Sequence, residues 1–357
     1  MPLQFPDHRT DPDAYARALG VSREAIDLYL GSEVVDLHID TYLWVRILGY
    51  DLGRRHDPRL WAARFLGQVD LPRLREANVG AGVWVVTTNP FRRAGSRPAT
   101  LRSNLEQLGN ALGRYPEDVA VVRSVADFRA ARTRGLHAAF LGVQGGNALG
   151  SPPNLDQTCL EAIVLVTLVH LTNSELGHTS SPLGLGSQRG LTPVGVELTR
   201  ALELNQVLVD VAHASPQTFA EVLAVHDRSR PVIASHTGVS GAYAHWRNLD
   251  DDQLRAIADS GGTVGIIMHG PYLGRGARGR RVEAVARHVT HAVNVIGARH
   301  VSLGSDWDGL IRTPKDAPTC LELPRLIQAL LDQGLSETDL QWVLGKSFLE
   351  TLSLVRP

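Results

Sequence analysis

Eight short, nearly unbroken apolar runs recur along this chain, each separated from the next by a stretch with helix signals. No other feature constrains the fold as much. The runs cover 34–40, 80–88, 137–146, 163–170, 207–213, 231–236, 263–269 and 300–306. Most are continuous rather than alternating, as in VLVDVAH, PVIASH and TVGIIMH. A strand covered on both faces reads that way, which is the condition of a buried parallel sheet. The intervening segments open with helix-start chemistry. Thr192-Pro193 and Ser215-Pro216 each offer a side-chain cap followed by a proline at the first helical position, and Asp250 with Gln253 has the spacing of a capping box. Strand and helix alternating about eight times predict a (β/α)8 barrel. The open doubly wound sheet is the alternative, but no glycine fingerprint for phosphate follows the first run.

The ends of the runs carry the chemistry. They read His38-Ile39-Asp40, Gln144, His170, His213, His236, His269 and Asp306. In a closed barrel these positions converge on one face. One such histidine is ordinarily a core or rim residue. Imidazole and carboxylate arriving together from several strands form a ligand set for zinc or a similar metal, which lowers the pKa of a bound water to roughly 7.

Composition bounds the rest. Of the 357 residues, 43% are hydrophobic and 20% charged, enough for a large core, and the formal net charge is −1, which does not favour nucleic acid as partner. The start, MPLQFPDHRTDPDAY, lacks the basic and apolar regions of a secretory signal, and no stretch of about 18 apolar residues follows, so a cytoplasmic protein without a membrane partner is expected. Cys159 and Cys320 are too few and too far apart for a structural zinc site and read as buried free thiols. Residues 1–33 read as a helical segment packing on a barrel of residues 34–357, a single domain overall.

The same residues, in this order, resemble the membrane (renal-type) dipeptidases, a branch of the amidohydrolase-type barrels. The pieces include VDLHID at 35–40, LGVQGG at 141–146, TLVHLTN at 167–173, VLVDVAHAS at 207–215, PVIASH at 231–236 and HVSLGSDWDG at 300–309. The resemblance implies a two-zinc hydrolase of dipeptides, some with a D-residue on the carboxy-terminal side. It assigns His38 and Asp40 to one metal and His213 and His236 to the other. Asp306 becomes the acid/base and His170 the group that steadies the tetrahedral intermediate. Arg247 becomes the clamp for the substrate carboxylate, with Asn173 beside it in the substrate pocket. The implied partner is a dipeptide or related small molecule, with room for a homodimer.

Gln144 departs from that pattern, because the family's bridging glutamate falls on it. An amide offers one neutral oxygen, and its NH2 only donates hydrogen bonds. Zinc in one or two copies, the second weakly held, is therefore expected. Three outcomes stay open: dipeptide hydrolysis with a weakened metal pair, a one-metal hydrolase of another amide or lactone, and a silent binding protein on the same fold. His178 and His269 stand where other residue types are expected, either as new pocket groups or as loop and rim histidines. Arg275, Arg278, Arg280 and Arg281 form an arginine-rich loop that is solvated or attracts an anionic substrate. Asp308 reads as a cap for its following turn.

Overall fold

The computed structural model describes residues 8–57, 65–87, 93–184 and 190–357. Thr88, the expected end of the second run, and the first seven residues of the N-terminal segment lie outside the described residues. The strands are β1 (Val34–Ile39), β2 (Val79–Thr87), β3 (Val119–Val121), β4 (His137–Gln144), β5 (Leu165–Thr167), β6 (Leu208–Asp210), β7 (Val232–Thr237), β8 (Val264–Ile266) and β9 (Val301–Leu303). All pair in parallel. The order β2-β1-β9-β8-β7-β6-β5-β4 closes on itself through a ladder from Ala81↔Ala138 to Thr87↔Gln144. This is the eight-stranded (β/α)8 barrel that the alternation predicts.

Sequence patterning misses β3. It is three residues long, its last residue Val121 is exposed, and it pairs only with the N-terminal half of β4, beginning at Val119↔His137. β5 joins β4 further along, at Gly142↔Leu165, so β3 fills an otherwise bare edge without entering the ring.

The helix starts behave as their sequences predict. The side chains of Thr192, Ser215 and Asp250 accept from the backbone amides of Gly195, Thr218 and Gln253, and Asp250–Gln253 closes a reciprocal capping box. Helices Pro12–Leu19 and Arg23–Leu30 bury Tyr15, Ala25, Ile26 and Tyr29 completely, and the Tyr15 hydroxyl donates to the Leu321 carbonyl at 2.7 Å. Both cysteines are buried and free. Among the described residues no helix is long and apolar enough to cross a membrane.

Strand periodicity then builds a floor for the site. Ala81, Val83, Val85, Ala138, Phe140, Leu165, Leu208 and Ile233 belong to one buried apolar cluster. Two residues further along their strands, on the same face, stand Thr87, Thr167, Asp210 and Ser235, while β4 reaches Gln144 four residues past Phe140. An apolar layer is thus capped by a polar one at the C-terminal end of the barrel.

His137 illustrates how firmly the interior fixes a protonation state. Its Nδ1–H donates to the Val79 carbonyl at 2.9 Å, and its Nε2 accepts from the Trp84 indole at 3.1 Å. Burial, its largest influence, pushes the pKa down from 6.5 to about 4. The folded protein therefore binds fewer protons at this site than the unfolded chain between those values. Stability from His137 is complete above about pH 6.5 and falls as pH drops toward 4, by about 1.4 kcal/mol per unit and on the order of 3 kcal/mol in all. Other buried histidines titrate in the same range, so chemical denaturation of metal-free protein should show at least that slope, and His137→Gln should reduce it by about 1.4 kcal/mol per unit. An identical pH profile for the variant would remove His137 as a cause.

Candidate metal centre

The site residues arrive from several strand ends, but the ladders stop earlier than the apolar runs suggest. β5 ends at Thr167, β6 at Asp210, β8 at Ile266 and β9 at Leu303. His170, His213, His269 and Asp306 therefore lie three residues beyond hydrogen-bonded strand, not on it. A strand side chain alternates rigidly between faces, whereas a residue just past the ladder can turn. His213 and Asp306 do so with φ of 66° and 64°, in the left-handed region. That conformation costs a non-glycine residue on the order of 1–3 kcal/mol, and such strain concentrates at functional sites.

Two groups of ligand atoms result. In the first, His213 Nε2 and His236 Nε2 are 2.9 Å apart, and Gln144 Nε2 lies 3.3 Å from each. In the second, His38 Nε2 lies 3.6 Å from Asp40 Oδ2 and 3.8 Å from Asp306 Oδ1. The rings of His38 and His236 are 3.9 Å apart at their centroids and join the two groups. Ligand atoms sharing one tetrahedral zinc at about 2.0–2.2 Å sit roughly 3.3–3.6 Å from one another. His38 Nε2 is buried without a hydrogen-bond partner. Ligand-capable atoms of His38, His236 and Asp306 all lie within 4.8 Å of one another. An orphaned imidazole nitrogen beside two carboxylates, and two imidazole nitrogens converging on each other, fit a divalent metal.

Gly309 makes room for this convergence. A Cβ there would fall 2.5 Å from Asp306 Oδ1 and 2.8 Å from Asp40 Oδ2.

The polar floor sets the tautomers. Asp210 is fully buried and accepts from Thr167 Oγ1 at 2.5 Å, Ser235 Oγ at 2.6 Å, and the amides of Ala212 and Ser235 at 2.9 Å. With its only proton given to Asp210, Ser235 Oγ accepts from His236 Nδ1 at 2.8 Å and His38 Nδ1 at 3.3 Å. Both rings thus carry their proton on Nδ1 and turn an Nε2 lone pair to the site, the outer-shell orientation that metal-ligating histidines use. Asp36 accepts from the amides of His38 and Ser305, tying β1 to the loop that carries Asp306. Sequence reasoning missed Thr87, Asp210, Ser235 and Asp36. The available signal was a hydroxyl or carboxylate inside an otherwise apolar run: Asp36 two residues before His38, Asp210 three before His213, Ser235 directly before His236, and Thr87 near the end of its own run.

Electrostatics divide the histidines. Burial holds His213 and His236 well below the usual imidazole range, so both are neutral lone-pair donors. Burial alone would lower His38 too, but the carboxylate of Asp40 at 3.6 Å, with Asp306 beyond it, raises it. Asp306 is pushed up by burial and by the charge of Asp40, while burial at Asp40 is outweighed by His38 and Thr87 and its pKa falls. The two adjacent carboxylates are thus pushed in opposite directions.

Gln144 is where the sequence departs, and its geometry is informative. Its Oε1 lies 3.0 Å from Thr87 Oγ1, which also contacts Asp40 Oδ1. One hydroxyl proton cannot serve both acceptors. Its NH2 meanwhile faces the two Nε2 lone pairs that a metal would use. A half-turn of the amide resolves both conflicts: NH2 donates to Thr87, Thr87 donates to Asp40, and Oε1 faces the metal position. The Gln144 amide can thus be oriented two ways, one capping the imidazoles and one offering a single neutral ligand atom.

His170 sits over the group, edge-on to His213 at 4.7 Å, its Nδ1 buried and unpartnered, and burial lowers its pKa to about 4. Arg247 is buried, donates from Nη2 to the His236 carbonyl at 2.7 Å, and forms no ion pair among the described residues. Its Nε has no partner. The other candidates are loop ties. Asn173 Oδ1 accepts from the Thr179 amide, His178 Nδ1 pairs with the Gly190 carbonyl, and His269 Nδ1 accepts from the Arg312 amide. Asp308 caps no turn of its own. Its carboxylate accepts from Thr41 Oγ1 and the Gln68 amide, holding two loops together.

Comparison with known proteins closes the question of kinship. Residues 22–356 match the family model of the membrane dipeptidases, Peptidase family M19. The dipeptidase aclJ of Aspergillus oryzae is 29% identical over 335 residues, covering 89% of this chain and 77% of that protein. A metallopeptidase from Rhodobacter sphaeroides, crystallised with a phosphinate mimic of the dipeptide L-Ala-D-Ala, shares the fold with a TM-score of 0.77 at 23% identity, over 91% of this chain and 99% of that one. An amidohydrolase from Pseudomonas aeruginosa does so with a TM-score of 0.75 at 22% identity, over 93% and 98%. The chain belongs to the membrane dipeptidase family, Peptidase family M19, and is a metal-dependent dipeptide hydrolase on a (β/α)8 barrel.

Proposed function

We propose that this chain hydrolyses dipeptides with a free terminal carboxylate, using zinc held between His38 with Asp40 and His213 with His236, with the second of two zinc positions weak. The convergence of His213, His236 and Gln144 at 2.9–3.3 Å, beside the orphaned His38 Nε2, carries this reading. Gln144 supplies at most one neutral oxygen where an anion would offset two dications, so the positions repel each other more than a carboxylate bridge would allow. When bound, the metal supplies Lewis-acid activation of a water and of the scissile carbonyl.

The chain's own residues do the rest. Asp306 takes the proton lost by the attacking water and returns it to the leaving amine. His170, neutral because it is buried, donates an N–H to the developing oxyanion; its unpartnered Nδ1 supports that role. Arg247, buried without an acidic partner, is completed by the substrate carboxylate, and bidentate pairing with a guanidinium fixes the substrate's register. The Rhodobacter sphaeroides neighbour's L-Ala-D-Ala mimic supports testing dipeptides of both configurations at the second residue.

The carboxylate clamp has a direct test. Amidating the carboxylate of an accepted dipeptide should raise KM about 10–100-fold in the wild type, the range for losing a charged hydrogen bond. The Arg247→Ala variant should bind free and amidated forms alike. Equal sensitivity in both proteins would show that Arg247 does not read that group.

A further inference from the structure

A cavity of about 850 Å³ is walled by loops at the C-terminal end of the barrel, and none of its lining residues is a metal-site candidate. Its size is that of a small-molecule site. Arg275, Arg280, Arg312 and Lys315 line it together with Tyr243 and Pro271, and no acidic residue does. These four cations form no ion pair among the described residues. Their neighbour Arg281 does, reaching Glu283 and Asp316 at 3.5 Å. The loop's charges are therefore divided: one is answered by acids, while those on the cavity are left open. Like charges gathered in a concave wall raise the local concentration of anions.

The cavity shares its loops with the substrate clamp. Its walls are the loops after β7, β8 and β9, and the first and last of these also carry Arg247 and Asp306. Tyr243 stacks near His245 at 6.2 Å, and His245 Nδ1 accepts from the Arg247 amide at 3.2 Å. On the other side, His269 meets Tyr272 at 4.4 Å and accepts from the Arg312 amide at 2.9 Å. A substrate whose terminal carboxylate is held at Arg247 would extend its carboxy-terminal side chain toward Tyr243 and this cavity.

We propose that the cavity is a subsite for a second negative charge, a carboxylate carried on the side chain of the substrate's carboxy-terminal residue. The assignment rests on Arg247 holding the terminal carboxylate. The chain then prefers dipeptides ending in an acidic residue over neutral isosteres of the same shape.

Ala-Glu and Ala-Gln, in both configurations of the second residue, isolate the charge. KM for the better Ala-Glu isomer should lie about tenfold below that of Ala-Gln, with kcat similar, since several exposed pairs each contribute little but act together. Arg280→Ala combined with Arg312→Ala, both at exposed positions, should bring the two substrates within about twofold and leave Ala-Gln unchanged. Salt at about 0.5 M should do the same to the wild type. Equal KM values in the wild type, or a preference that survives the double substitution, overturn the subsite and leave dipeptide hydrolysis intact. If neither peptide is cleaved, equilibrium dialysis decides. Tighter Ala-Glu binding that the double substitution abolishes keeps the subsite and ends the dipeptidase reading, and equal binding ends both.

Discussion

Gln144→Glu should add a tightly bound metal and raise dipeptide turnover at least tenfold. The exchange replaces the NH2 that faces His213 and His236 at 3.3 Å with an anionic oxygen and changes almost no volume. Without metal that oxygen would oppose two imidazole lone pairs, so the variant needs a cation where the wild type has an amide cap. The other oxygen would compete with Asp40 for the single Thr87 hydroxyl proton. A carboxylate between two dications would offset the repulsion proposed to weaken the second position. The alternative outcome is equally definite. In a pocket rebuilt around one metal, the new carboxylate would be buried without a partner, at a cost of several kcal/mol unless protonated. Metal analysis and turnover would then stay as in the wild type while thermal stability fell, and the half-turn account of Gln144 would be wrong.

Asp306→Asn should lower kcat by about 10²–10⁴-fold, the contribution typical of a positioned general acid or base. The substitution keeps the shape that Gly309 accommodates and removes only the capacity to carry a proton. Because Asp306 also lies with His38 and His236 in one ligand-capable cluster, metal content has to be measured on the same sample. Retained metal with lost turnover assigns Asp306 to proton transfer, and metal lost together with turnover assigns it to the ligand shell. Turnover within a few-fold of the wild type excludes both.

How much of this was legible in the sequence follows from what each residue depends on. The eight barrel strands were readable because parallel burial on both faces leaves an unbroken apolar run, and the helix starts because a cap and its amide are three residues apart. The histidines and Asp306 were readable because residues just past the strands of a barrel converge. Their exact placement was not, since the ladders end three residues early and the positive φ of His213 and Asp306 depends on the packed barrel. The floor formed by Thr87, Thr167, Asp210 and Ser235 was invisible for a different reason. Each is one polar residue in an apolar run, and only closure of the sheet sets Asp210 against Thr167 and Ser235. β3 was missed because a three-residue strand on a bare edge has no pattern to show. The arginine-rich loop was recognisable as basic, but its unpaired charges and the cavity they line required Arg312 and Lys315 from the next loop.

A second metal weakened by Gln144 would leave this dipeptide hydrolase with a tightly and a loosely held zinc. The most direct measurement is zinc per chain after dialysis against a mild chelator, with turnover of a dipeptide followed on the same samples as zinc is added back. The expected result is fewer than two equivalents retained, turnover that falls as zinc is stripped, and recovery as it is restored. Two full equivalents that survive the chelator, or no dipeptide cleavage at any zinc occupancy, would contradict it.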